Sequence, residues 1–217
     1  LRAVFVTGLN PVRSYADTTA YEKAFEKLDL LVTAELAMTE TAALSHYVLP
    51  SRTGYESWDG TFFPFTYPGI YFQMRRPIIE PDGEQKEQGE IDLLLADKLG
   101  LIPPIPESLY QAADESRAAF AKALMEYAVT EPKALKAMPF ILGKTLGKAL
   151  GSVHLAALWG MLQVAPKSLY QNAVRAGFQS GPAMGEEIFQ AILDSPEGVW
   201  VGKIDPDDNF AQVKTDD

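Results

Sequence analysis

The chain contains no cysteine. That absence excludes a disulfide framework, a Cys-ligated zinc, an iron–sulfur cluster held by these residues, and a thiol nucleophile. Histidine is almost as scarce. With only His46 and His154, a His-rich metal site is excluded as well. Positive charge is also in short supply: 19 Lys and Arg stand against 29 Asp and Glu, a formal net charge of −10. A chain this acidic repels phosphate backbones, which argues against nucleic acid as a partner. Long apolar runs are missing too. The uncharged stretch from Ala149 to Ala165 is short for a membrane span and carries Ser152, His154 and Gln163, so it reads as a buried helix and no direct membrane span is expected. No signal peptide is visible. The chain starts at Leu1 directly on an apolar strand pattern and reads as a segment of something longer.

What is present is ordinary globular composition, 47% hydrophobic and 22% charged over 217 residues. This suits one large domain or a domain with an appendage. Ala3-Val4-Phe5-Val6-Thr7 reads as a buried strand stopped by Gly8, and Gly8-Leu9-Asn10-Pro11 as a turn. Thr19-x-x-Glu22 has the form of a capping box, and Tyr21, Ala24, Phe25 and Leu28 share a helical face. Leu30-Leu31-Val32-Thr33-Ala34 is a second strand with Glu35 at its C-terminal end, which completes a β-α-β unit and implies a parallel pair. A short helix opening at Thr39 leads to a third strand, His46 to Pro50. Residues 51–76 are irregular and aromatic, and are expected to pack as a long loop onto the sheet. A helix from about Gly89 stops at Gly100.

From Leu101 the texture changes, and Pro103-Pro104-x-Pro106 separates the α/β part from a mostly helical one. One long helix is expected over Leu109 to Ala128, others over 145–165, 167–178 and around Ile188 to Leu193. Val199 to Ile204 alternates like a strand that could rejoin the first sheet, and the acidic tail after Asp205 is expected to fray. The expected fold is therefore α/β, a Rossmann-like three-layer parallel sheet over residues 1–102 with a helical extension over 103–217 packed on it.

Gly143-Lys144-Thr145 imitates the end of a phosphate-binding P-loop, but that motif needs a glycine where Met138 stands. Gly143, Gly147 and Gly151, four residues apart, suit close helix packing, and His154 reads as a satisfied core histidine. The first β-α-β unit is the stronger signal. Ligands of open parallel sheets bind beyond the carboxyl ends of the strands, where Gly8, Asn10 and Glu35 fall. There an acidic residue can accept ribose hydroxyls, while turn amides approach a pyrophosphate. The turn lacks the glycine pattern of dinucleotide dehydrogenases, so the residues themselves leave a generic nucleotide-binding half and a purely structural layer both open.

The order of segments narrows the choice. A strand ending in Gly-x-Asn-Pro, a helix, Leu28 to Leu36, Met38-Thr39-Glu40-Thr41-Ala42, then His46-Tyr47-Val48-Leu49-Pro50 and Tyr55-Glu56-Ser57-Trp58-Asp59-Gly60-Thr61 resembles the molybdopterin oxidoreductase family, also called the dimethyl sulfoxide reductase family. The resemblance covers residues 1 to about 100, with a weaker echo from Gly185 to Val199.

The resemblance implies a Rossmann-like part of a large catalytic subunit that holds one of two molybdopterin guanine dinucleotides around molybdenum or tungsten. Gly8, Asn10 and Pro11 would face the guanine nucleotide, Glu35 would take its ribose or base, and Thr39 would lie beside it. The acidic residue before the family's later helix corresponds to Gln88 or Glu90, and Glu90 is taken here. Ser45-His46 stands where the family usually has Ala-Asp, and Phe63 to Gly69 replaces its common Asn-x-Glu-Arg segment, which points to a divergent branch. The implied partners are the remaining domains of the same polypeptide and an iron–sulfur electron-transfer subunit. No catalytic residue or metal ligand falls in this chain, and no cofactor is expected to stay on it alone. A stand-alone nucleotide-binding module and a noncatalytic scaffold are the competing readings.

Overall fold

The computed structural model describes residues 1–60 and 67–205. Phe62, Phe63, Phe65, the Phe63 to Thr66 part of the divergent segment and the tail after Asp205 lie outside the described residues. The chain forms two compact units, Leu1–Ser57 with Pro77–Pro103, and Trp58–Arg76 with the residues from Pro104 onward.

The first unit is built on three parallel strands in the order β1 (Ala3–Thr7), β2 (Leu30–Glu35) and β3 (Tyr47–Pro50). The β-branched and leucine content of β2 suits its central place, where Leu31 and Thr33 are fully buried. The connections carry α1 (Pro11–Ser14) and α2 (Thr18–Phe25) between the first two strands, and α3 (Glu40–Leu44) between the second and third. Pro11 does more than end the strand. It occupies the first helical position of α1, where a missing N–H costs nothing. The cap of α2 differs from the expected Thr19 box: Asp17, in a left-handed conformation, starts the helix and its side chain accepts from the Ala20 N–H.

Helix α3 packs on β2 and α1 packs on α3, so one face of the sheet is covered and buries Val6, Leu31 and Thr33. On the other face Ala34 is buried, whereas Phe5, Leu30 and Tyr47 are exposed. The helix after the strands, α4 (Gln88–Lys98), begins on a true capping box between Glu87 and Glu90 and ends at Gly100, in a left-handed conformation.

The second unit is helical. The short strands β4 (Asp59–Gly60) and β6 (Met74–Arg75) pair antiparallel, while β5 (Gly69–Phe72) pairs with the last strand, β7 (Val199–Lys203). This corrects two expectations. The last strand does not return to the first sheet, because β5 offers it an antiparallel partner and Tyr71 packs edge-on against Trp200. The aromatic stretch does not form one loop over the sheet either: from Trp58 on it joins the second unit, where Trp58 and Phe72 pack against the helical core.

The expected long helix is two, α5 (Glu107–Glu115) and α6 (Arg117–Thr130). Ser116 is extended between them, and its hydroxyl caps α6 by accepting from the Ala119 N–H. A 3-10 turn over Pro132–Ala137 leads into α7 (Met138–Lys144), α8 (Leu146–Leu150), α9 (Val153–Gln163), α10 (Lys167–Arg175) and α11 (Met184–Asp194). Leu109, Phe120, Ile141, Leu146, Ile188 and Phe189 form the centre of the core. At Gly185 a Cβ would lie 2.5 Å from the Leu162 carbonyl oxygen, and at Gly160 it would lie closer still to Leu142 Cδ1; at Gly147 the spacing is ordinary contact.

Candidate nucleotide site

In a parallel sheet all strands end on the same edge, and here that edge collects the polar loops. After β1 comes Gly8 with φ of 61°, a conformation that L side chains rarely adopt. Nothing lies within 4 Å of where a Cβ on Gly8 would sit, so a ligand can approach this backbone closely.

Asn10 begins α1, yet its side chain makes no cap bond to that helix. It reaches instead to the start of α3. Its Nδ2 donates to Glu40 Oε2 at 2.8 Å, and its Oδ1 accepts from the Thr41 hydroxyl at 2.7 Å. The buried Thr41 hydroxyl in turn accepts from the Val12 N–H at 3.2 Å, so Thr41 supplies the cap that Asn10 does not. Glu40 holds the other end of α1 as well: its Oε1 accepts from Arg13 Nε at 2.6 Å. The bonds from Arg13 and Asn10 lower the Glu40 carboxyl to about 2, and the same carboxylate raises the Arg13 guanidinium above its usual range.

Glu35 closes β2 half-buried, with Oε1 accepting from the Leu36 N–H at 2.8 Å. Its Oε2 has no protein partner among the described residues. Thr39 is the N-cap of α3, its hydroxyl accepting from the Ala42 N–H at 3.3 Å. After β3, Ser51 N–H donates to the Glu35 carbonyl. The Ser51 hydroxyl oxygen is buried and has no hydrogen-bond partner among the described residues. Arg52 follows, its guanidinium 3.5 Å from Glu90 and donating through Nε to the Gln85 carbonyl at 3.3 Å. Glu90 also accepts from the Glu87 N–H at 2.9 Å, so its carboxylate is engaged in capping α4.

The structure therefore brings Gly8, Asn10, Pro11, Glu35 and Thr39 to the carboxyl edge of the first two strands, and links Glu90 to the third through Arg52. Sequence reasoning passed over Glu40, Thr41, Arg13 and Ser51. Thr39-Glu40-Thr41 was visible only as a helix opening, because nothing local shows that its side chains meet residues about thirty positions earlier. The unusual Ser45-His46 pair has a structural use: Ser45 Oγ shares a 2.6 Å bond with the Thr33 hydroxyl, and His46 Nδ1 accepts from the Leu31 N–H at 2.9 Å.

In the second unit His154 is satisfied as expected, its Nδ1 bonded to the Trp58 carbonyl at 2.8 Å. The P-loop imitation is also settled: Thr145 is buried and donates to the Ile141 carbonyl inside the helical layer. Among the described residues no group of His, Asp or Glu is arranged to hold a metal ion, and no helix is long and apolar enough to cross a membrane.

The sequence profile of the molybdopterin oxidoreductase family matches residues 1–97. The alpha subunit of an F420-dependent formate dehydrogenase from Methanocaldococcus jannaschii is 38% identical over 100 residues, 46% of this chain and 14% of that protein. The trimethylamine-N-oxide reductase of Haemophilus influenzae is 32% identical over 105 residues, 46% of this chain and 12% of its own length. Formate dehydrogenase H of Escherichia coli is 31% identical over 100 residues, 46% and 13% respectively. The matched stretch is thus a small part of each of these relatives.

Proposed function

Since residues 1–97 match the molybdopterin oxidoreductase family, we propose that the first 102 residues hold the nucleotide end of one molybdopterin guanine dinucleotide in a larger oxidoreductase. The observation that carries this is the shared carboxyl edge of β1, β2 and β3, where an open glycine turn, a half-buried carboxylate and a buried unpaired hydroxyl come together. These residues fit the group. Gly8 leaves its backbone accessible, Glu35 has a free carboxylate oxygen suited to the ring N–H donors of guanine or to ribose hydroxyls, and Ser51 Oγ is a buried polar atom in need of a partner.

In this role Gly8 and the adjoining Asn10–Pro11 backbone admit the nucleotide, Glu35 selects and orients it, and Thr39 keeps α3 in register beside it. Glu90 acts through Arg52, fixing the guanidinium after β3. The Asn10 carboxamide faces Glu40 and Thr41, so its part is to hold the turn rather than to touch the ligand. The bound cofactor, with Mo or W held elsewhere in the polypeptide, supplies the two-electron chemistry. This chain binds and orients; it contributes no catalytic residue. An iron–sulfur subunit would serve as electron partner of the whole enzyme.

The test is nucleotide content. The complete polypeptide is expected to release GMP on acid hydrolysis, and Glu35→Gln to lower the amount retained after a dilution chase. The isolated 217-residue chain is expected to bind GDP weakly or not at all in titration calorimetry, because half of the cofactor's surroundings are missing. Tight, specific binding by the isolated chain would favour a stand-alone nucleotide-binding module. Absence of GMP from the complete polypeptide would refute the proposal.

A further inference from the structure

An anionic dinucleotide on a chain of net charge −10 needs a cation at the edge where it lies. Two arginines follow the strand ends of the first unit. Arg52 is mostly buried, with its guanidinium turned to Glu90 and the Gln85 carbonyl. Arg13 is different. Its side chain is 65% exposed, and only its Nε is engaged, by Glu40 Oε1 at 2.6 Å. The two terminal nitrogens have no protein partner among the described residues. Glu40 uses its second oxygen to hold Asn10, in the turn that begins at the open Gly8. One carboxylate thus fixes both the turn and the arginine one helical turn beyond it.

We propose that Arg13 is a further binding residue for the phosphates of the nucleotide, and that Glu40 is its positioning residue, aiming the guanidinium through Nε so that its terminal nitrogens face the ligand. The proposal rests on the reading of this edge as a nucleotide site. A guanidinium presents its donors as a planar fork that matches phosphate oxygens, and fixing the fork at Nε removes the rotamer freedom that a long side chain otherwise loses on binding. Lysine has no equivalent of Nε and cannot be aimed in this way. Because Glu40 remains ionised, the pair offers an oriented donor set rather than an added net charge.

The experiment uses the complete polypeptide loaded with its cofactor. GMP retained per polypeptide is measured after a dilution chase at low and high salt, and the melting of the cofactor-free protein is measured alongside. Arg13→Gln and Glu40→Ala are each expected to speed loss of GMP about five- to tenfold, the scale of one solvent-exposed hydrogen bond. The double variant is expected to be no worse than either single one, since the two residues act as a unit. Arg13→Lys should not restore retention, and the salt sensitivity of the wild type should shrink in Arg13→Gln. Cofactor-free melting should fall only slightly, by the small contribution of an exposed ion pair and its hydrogen bonds, and by less than the loss of GMP requires.

Wild-type retention in Arg13→Gln, full additivity in the double variant, or a melting change large enough to account for the loss would each overturn the proposal. A wild-type polypeptide that retains no GMP at all would instead overturn the reading of the site on which it rests.

Discussion

Replacing Thr41 by valine removes one hydroxyl and almost no volume. That hydroxyl donates to Asn10 Oδ1 at 2.7 Å and accepts from the Val12 N–H at 3.2 Å. Thr41 is fully buried and Val12 nearly so, so neither water nor another side chain can readily replace the lost partner at the Val12 amide. Two hydrogen bonds at about 1 kcal/mol each, with one buried donor then left unpaired, give an expected loss of about 2–3 kcal/mol. The added methyl recovers little, because the space is already filled by packed neighbours.

The effect should be local to the first unit. All three tryptophans, Trp58, Trp159 and Trp200, belong to the second unit, so their fluorescence is the wrong probe. Amide hydrogen exchange read by mass spectrometry over β1 and β2 is the right one. Exchange there should speed up about 30- to 150-fold in Thr41→Val, which is 2–3 kcal/mol expressed as a rate ratio. Exchange over α6, α9 and α11 should not change. Unchanged protection of β1 and β2 would refute the claim that Thr41 supplies the missing cap of α1.

Other substitutions probe other links. Phe120→Ala empties the centre of the helical core beside Trp159 and should cost about 3–5 kcal/mol, visible as a lower urea midpoint by tryptophan fluorescence. Gly185→Ala drives a Cβ against the Leu162 carbonyl at the crossing of α9 and α11, and should destabilise that unit by about 1–3 kcal/mol in the same assay. Acidification tests Glu40: a carboxyl lowered from 4.5 to about 2 contributes its stability in full above about pH 4.5 and loses it as the pH falls toward 2. The Glu40→Gln variant should therefore show a shallower fall in urea midpoint, read by far-UV circular dichroism, between about pH 4.5 and pH 2; equal slopes would contradict the assignment.

The parts of the fold that depend on local pattern were legible in advance. Short apolar runs rich in β-branched residues marked β1 and β2, the opening at Thr39 marked α3, and Gly100 marked the end of α4. What escaped was long-range pairing. Nothing near Val199 announces that its partner is Gly69–Phe72, and it is the antiparallel pairing with that strand, with Tyr71 against Trp200, that takes β7 away from the first sheet. Ser116 divides a continuous apolar face because its hydroxyl prefers to cap a new helix, a competition that a periodicity alone does not reveal.

The candidate site follows the same division. Gly8, Asn10, Pro11, Glu35 and Thr39 stand at strand ends and caps, where sequence order is informative. Glu40, Thr41 and Arg13 become relevant only when α1 and α3 are brought side by side. Asn10 stands in the turn after β1 as its position in the sequence implies, but its carboxamide is spent on Glu40 and Thr41.

The most direct test of the account is the composition of the complete polypeptide purified under anaerobic conditions. Elemental analysis together with nucleotide analysis after acid hydrolysis should find molybdenum or tungsten and GMP, with the GMP diminished by Glu35→Gln. A polypeptide that contains neither metal and yields no GMP would contradict the account.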